Sequence, residues 1–194
     1  MTLPPGTSDR RFARLSVTTL ALLIAGLGVI TAIARPTRRD RPPKPRRPVD
    51  LERYLGLWHE FARYENRFER GCEAVTAEYG LLPDGLISIV NRARQGGLTG
   101  RLREARARGR VVPGSGNAKL RVSFFGPFFW GHYWVLDHAE DYAWSIVGEG
   151  SRRYLWVLTR EAHPTPERQA LLLARVRAFG YAPEKLHLTR HPGA

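Results

Sequence analysis

A single cysteine in 194 residues is the first constraint. Cys72 cannot form an intrachain disulfide, and a multi-cysteine metal site is excluded whatever the compartment. The six histidines, at 59, 132, 138, 163, 187 and 191, stand at no metal-ligand spacing,. No glycine-rich phosphate cradle and no nucleophilic triad can be read from the chain. No metal, cofactor or catalytic residue is therefore expected. Acidic residues are also scarce, with 18 Asp and Glu against 31 Lys and Arg for a net charge of +13. A balance of that sign invites nucleic acid or a membrane surface as partner, so its location matters more than its size. Residues 1–50 hold ten Lys and Arg against three Asp, which puts over half of the excess outside the patterned part of the chain. Nucleic acid is not an expected partner, whereas arginines flanking a hydrophobic run suit anionic lipid head groups.

What is present begins with that run. Residues 1–14 form a basic n-region, and Leu15 to Ala34 is an uncharged stretch long enough to cross a bilayer as a helix,. It reads as a signal anchor or a signal peptide. Ala32-Ile33-Ala34 has the small-x-small form of a cleavage site, but Arg35 and Pro36 directly after it disfavour processing, so an uncleaved anchor is preferred,. The basic residues of 35–48 outnumber those before the run, and by the positive-inside rule they oppose export of the downstream domain; both orientations stay open. Residues 35–48, rich in proline and arginine, read as an extended linker, with the folded domain at 49–194,.

From Gly56 onward, short alternating runs recur about every ten residues between Gly, Pro, Asn and Asp signals, the spacing of an antiparallel meander. Eight strands are expected at about 57–64, 74–82, 86–93, 99–111, 117–125, 131–137, 142–148 and 153–160. One helix comes next, with Thr165 as N-cap, Pro166 in its first turn and Gly180 closing it. Leu172, Val176 and Phe179 share a face of that helix, and a short strand at 186–189 ends the chain. The fold class is all-β: an eight-stranded antiparallel up-and-down barrel with one C-terminal α-helix packed on its wall, preceded by an N-terminal hydrophobic helix. A barrel of this size encloses room for one small ligand.

Three ordered motifs carry a family resemblance: Gly56-Leu57-Trp58 at the first strand, Asp141-Tyr142 in the turn before the seventh, and Arg160 ending the eighth. With the flanking segments 49–71 and 154–160, they resemble the lipocalins, and among these the bacterial outer-membrane lipocalins. The resemblance implies non-catalytic binding, storage or transport of a lipid (fatty acid, lysophospholipid or phospholipid) in the cell envelope, in support of membrane maintenance. It also implies that Trp58 and Arg160 close the barrel floor by a cation–π contact. One departure is that the bacterial relatives carry a lipobox cysteine, whereas no cysteine precedes Cys72 here. The hydrophobic run is then the expected membrane tether, with the domain periplasmic or extracellular, or secreted if residues 1–34 are cleaved.

Period-two alternation extends the motifs into a cavity lining. Arg160 turned inward carries Trp156 and Tyr154 with it. The other expected lining residues are Ala77 and Tyr79, Ile89 and Asn91, Val122 and Phe124, Tyr133, and Trp144. Arg103 shares the inward parity near the mouth and is a candidate partner for a ligand carboxylate or phosphate; the competing reading is a solvated surface arginine. Cys72 is expected outside, at a strand start. The run Phe124 to Trp130 is a candidate lip of the mouth, homodimer contact or membrane-dipping element, or else folds in as core. Two further functions stay open: a lipid isomerase or de-epoxidase on the same fold, and a basic membrane-surface interaction protein.

Overall fold

A computed structural model describes residues 42–193; the expected n-region, the hydrophobic run at 15–34 and the start of the linker lie outside these residues. Among the described residues no helix is long and apolar enough to cross a membrane. A short helix, α1 (Leu51–Tyr54), leads into β1 (Gly56–Tyr64), and seven strands come after it: β2 (Cys72–Leu81), β3 (Ile87–Gln95), β4 (Arg101–Val111), β5 (Lys119–Ser123), β6 (Gly131–His138), β7 (Trp144–Gly148) and β8 (Leu155–Thr159). Helix α2 (Pro166–Ala178) and β9 (Leu186–Leu188) complete the chain.

Each strand from β2 to β7 pairs antiparallel with the next, β8 pairs with β1, and β1 pairs back to β2, so the sheet closes into a barrel. Closure leaves few unpaired edges. The first half of β1 pairs with β2 from Gly56 to His59, while its second half pairs with β9. Helix α2 forms where its caps dictate: the Thr165 hydroxyl accepts from the Arg168 amide at 3.3 Å, and Gly180 sits just past the helix at φ +83°, a conformation costly for other residues,.

Two apolar cores result, one on each side of the wall. Inside the barrel, Trp58, Ala77, Tyr79, Ile89, Ala107, Val122, Val147 and Leu158 pack together. Outside, Leu172 and Val176 of α2 and Phe179 at its C-cap lie on Trp144, Ile146, Leu155 and Val157. The wall under the helix is thus buried on both faces.

The expected free linker differs in its second half. The Arg46 amide donates to the Leu136 carbonyl at 2.9 Å and the Val49 amide to the Gly116 carbonyl at 2.8 Å. Asp137, fully buried, collects Arg46, Arg47 and Arg175 at 3.4, 3.5 and 3.2 Å. Proline removes backbone donors but still offers carbonyls, and the Pro48 carbonyl meets His138 Nε2 at 3.0 Å. This segment is a strap fastened to β6 and α2.

Candidate functional site: the barrel interior

The floor is built where the motifs predict. The Arg160 guanidinium lies 3.8 Å from the centroid of the Trp58 ring, and it donates to the carbonyls of Leu57 at 2.6 Å, Arg53 at 2.9 Å and Leu55 at 2.9 Å. The Trp58 indole donates to the Tyr54 carbonyl at 2.8 Å. Gly56, at φ +88°, lets the chain turn from α1 into β1 beneath that arginine. Burial lowers the pKa of Arg160, but it remains a cation at any physiological pH,.

Above the floor stands a layer of hydroxyls. Tyr133 OH bonds Tyr54 OH at 2.9 Å and Tyr79 OH at 2.8 Å, and Tyr54 OH also reaches Ser145 Oγ at 2.9 Å. Burial pushes the Tyr54 hydroxyl up to about 12 and raises those of Tyr79 and Tyr133 as well. All three therefore stay protonated and act as neutral donors and acceptors. Around and above them, Ala77, Ile89, Ala107, Val122 and Leu158 supply an apolar waist.

Toward the mouth the lining becomes charged. Arg63 is fully buried and donates to Glu60 Oε1 at 2.8 Å, to the Glu69 carbonyl at 2.9 Å and to Thr189 Oγ1 at 3.3 Å. Glu60 and Thr189 are in close hydrogen-bond contact. Burial, with Glu69 nearby, outweighs the pull of Arg63 and raises the Glu60 carboxyl above its ordinary range,. The loop 65–71 is fastened over this cluster, since Glu69 Oε2 accepts from the Trp156 indole at 2.9 Å and from Asn66 Nδ2 at 2.6 Å. Arg103 Nη1 donates to Gln95 Oε1 at 2.7 Å, and the Cys72 thiol lies 3.4 Å from the same oxygen.

Most expected lining residues fall on the inner face. Tyr79 and Ile89 are buried in the interior core with Ala77 and Val122, and Tyr133 and Trp156 pack against it. Asn91 pairs with Ala77 and Ala105 in inward register, and Tyr154 stacks on Trp156 with ring centroids 5.8 Å apart. Arg103, paired with Ala93, has the inward parity but is exposed at the mouth.

Three placements need correction. Trp144 is not in the cavity. In β7 Ser145 pairs with Leu158 and Val147 with Trp156, which turns those two inward and puts Trp144 and Ile146 under α2. Trp144 instead borders an outer cavity of about 470 Å³ with Arg47, His138 and Arg175. Phe124 is likewise not a lining residue. Strand β5 stops at Ser123, whose buried hydroxyl caps the next turn through the carbonyls of Phe125 and Gly126, and Phe124 is exposed. Cys72 is buried and turned inward, because the register of β2 shifts between Glu73 and Thr76, with Ala74 at φ +49°, and reverses the parity read from Ala77,. Glu60 and Arg63 are interior residues that strand reading passed over. Parity with Trp58 points to Glu60, whereas Arg63 turns inward only because of a second register shift between Glu60 and Ala62.

Residues 49–191 match the family description Lipocalin-like domain. The chain belongs to the lipocalin family. It is 36% identical over 169 residues to the outer membrane lipoprotein Blc of Citrobacter freundii, covering 86% of this chain and 92% of that one. It is 43% identical over 129 residues to the Blc of Vibrio cholerae, covering 66% and 73%. Among solved structures, insecticyanin of the tobacco hornworm Manduca sexta aligns with a TM-score of 0.59 at 16% identity, over 79% of this chain and 85% of that one. The cockroach allergen Per a 4 aligns at 0.58 and 16% identity, over 73% and 88%; these two likenesses concern the fold alone. Membership of this family, with Blc among the relatives, supports binding of a small hydrophobic ligand in the barrel rather than catalysis.

Proposed function

We propose that this lipocalin binds, stores or carries a single-chain lipid, a fatty acid or lysophospholipid, in the cell envelope, without chemical turnover. The observation that carries the reading is the order of the lining along the barrel axis: a sealed floor, a neutral hydroxyl layer, an apolar waist and a charged mouth. Such an interior suits an acyl chain inserted tail first with its head group near Arg63, Glu69 and Arg103. The ligand contacts are then Ala77, Tyr79, Ile89, Asn91, Val122, Tyr133 and Trp156, with Tyr154 at the mouth.

Turnover is disfavoured because the interior titratable groups are engaged with one another: Glu60 with Arg63 and Thr189, and the tyrosine hydroxyls in their own chain. The relatives named outer membrane lipoprotein support an envelope location; a periplasmic or extracellular domain serving membrane maintenance is part of the proposal. Residues 15–34 would be the tether. Displacement of a fluorescent fatty acid, with native mass spectrometry of lipid extracted with the protein, tests the reading. A barrel that bound neither fatty acid nor lysophospholipid would overturn it, and Arg103→Ala is expected to weaken anionic ligands more than uncharged ones.

A further inference from the structure

Ten large apolar side chains are exposed among the described residues; Leu57, Leu81, Leu171 and Leu188 stand apart, and the other six share one end of the barrel. Phe125 is 89% exposed, Trp130 76% and Phe128 64%, and Phe68, Leu102 and Phe124 are also more than half or half exposed. All six lie at one end of the barrel, on the loop 65–71, at the start of β4 and on the loop 124–130, around the mouth. An isolated apolar residue on a surface needs no explanation, but four exposed rings within the single loop 124–130 do,. Phe128 and Trp130 pack edge to face with ring centroids 6.1 Å apart, so the rim is partly preorganised.

Directly behind the rim stands a basic wall. Arg108 is paired with Ser123, immediately before the exposed phenylalanines, and Arg110 is paired with Arg121 two residues further from the mouth. The Arg110 guanidinium covers the Phe129 ring at 4.3 Å. Arg94, Arg108, Arg110 and Arg121 have no carboxylate partner among the described residues, whereas Arg92 and Arg106 are matched by Glu78 and Glu104. At about 3.3 Å per residue, the backbones of Arg108, Arg110 and Arg121 lie roughly 3–10 Å behind that of Phe124,. Apolar rings ahead of a band of arginines fit the acyl boundary and the anionic head groups of a bilayer.

The strap lies along the wall beside β6. It runs parallel to β6, with Arg46 beside Leu136 and Pro48 beside His138, and β6 itself runs from the mouth toward the floor. From Arg46 to Pro48 the strap therefore runs from the mouth side toward the floor.

We propose that the rim of Phe125, Phe128 and Trp130, backed by Arg108, Arg110 and Arg121, docks the barrel mouth-first onto an anionic lipid bilayer. This deepens the lipid-carrier reading, since a docked mouth would exchange its ligand with the bilayer without passing it through water.

The test uses the full chain in phosphatidylcholine vesicles with and without phosphatidylglycerol, both containing brominated lipid. Quenching of Trp130 is isolated by difference from Trp130→Phe. Docking predicts that Trp130 is quenched in the anionic vesicles, less so in phosphatidylcholine alone, and less at high salt. Arg108→Gln and Arg110→Gln are each expected to weaken docking about fivefold, and Phe125→Asp with Phe128→Asp to abolish it. Trp130 unquenched in both membranes would overturn the proposal. So would quenching indifferent to phosphatidylglycerol and salt, or burial of Trp130 that tracks protein concentration rather than lipid, which would assign the rim to a second copy of this chain. Fluorescent fatty-acid binding measured on the unaltered protein separates the two readings: ligand binding without docking removes only docking, and docking without ligand binding removes only the carrier.

Discussion

The hydroxyl layer offers the sharpest test of the interior, because its three tyrosines are not equivalent. Tyr133 is the centre, bonded to both Tyr54 and Tyr79; Tyr54 has Ser145 as a second partner, while Tyr79 reaches only Tyr133. Tyr133→Phe therefore leaves the Tyr79 hydroxyl buried without a partner, at a cost of about 1–3 kcal/mol in addition to the lost bonds. Tyr79→Phe removes one bond and leaves Tyr133 still bonded to Tyr54, which costs only about 0.5–1.5 kcal/mol. The double variant should be no worse than Tyr133→Phe alone, because the stranded hydroxyl has gone, and this gives a favourable coupling of about 1 kcal/mol. Urea unfolding monitored by tryptophan fluorescence reads all four proteins, provided the slope with denaturant is common to them. A Tyr79→Phe protein less stable than Tyr133→Phe, or costs that simply add, would refute the assigned connectivity.

The same geometry sets three further outcomes. Arg160→Met should lower stability by about 2–3 kcal/mol, since it removes the cation–π contact and strands carbonyls of residues 53–57,; Arg160→Lys should recover only part of this, and thermal melts rank them. Asp137→Asn leaves Arg46, Arg47 and Arg175 without their shared carboxylate; hydrogen exchange at residues 46–49 should accelerate while the β1–β2 amides keep their protection. Burial lowers the pKa of His59, with His191 and His163 adding to the effect, and burial likewise lowers that of His191, outweighing its hydrogen bond to the Glu60 carbonyl. The unfolded chain therefore binds more protons just below pH ~6.5, and that part of the stability falls as pH drops through this range. His59→Gln with His191→Gln should flatten the acid limb of a stability–pH curve.

The parts legible from sequence are those where one strand face is dry and the other wet. In β4, Ala107 is buried between exposed Arg106 and Arg108, so two-residue alternation identifies the inner face directly. In β7 every residue from Trp144 to Gly148 is buried, because the barrel core lies on one side and α2 on the other. Alternation then carries no contrast, and the largest ring misleadingly suggests the cavity. Register shifts in β1 and β2 reverse parity within a strand and bring in Arg63 and Cys72; neither shift is marked by a glycine or proline. Pro42 to Pro48 reads as a spacer because composition reports on backbone stiffness, while the docking depends on Asp137 and Leu136, about ninety residues away.

The interior charge balance bears directly on ligand choice. Arg63 and Arg103 stand with Glu60 and Glu69 at the mouth end of the barrel, and burial with the nearby Glu69 raises the Glu60 carboxyl. While Glu60 keeps its proton, the four groups carry a net positive charge and an anionic head group is favoured. Once Glu60 ionises, the set is neutral, and an added anion faces a new negative charge within the same enclosure. Anionic ligands should therefore bind more weakly as pH rises through the Glu60 titration, by on the order of 1 kcal/mol, or about fivefold. Lysophosphatidylglycerol, charged throughout the range, isolates the effect from titration of the ligand, and zwitterionic lysophosphatidylcholine serves as its reference. Glu60→Gln should hold the anionic affinity at its lower-pH value across the range. An affinity ratio between the two lipids that does not move with pH in the unaltered protein would mean that the head group does not reach Glu60, and that the ligand sits nearer the rim than the apolar waist implies.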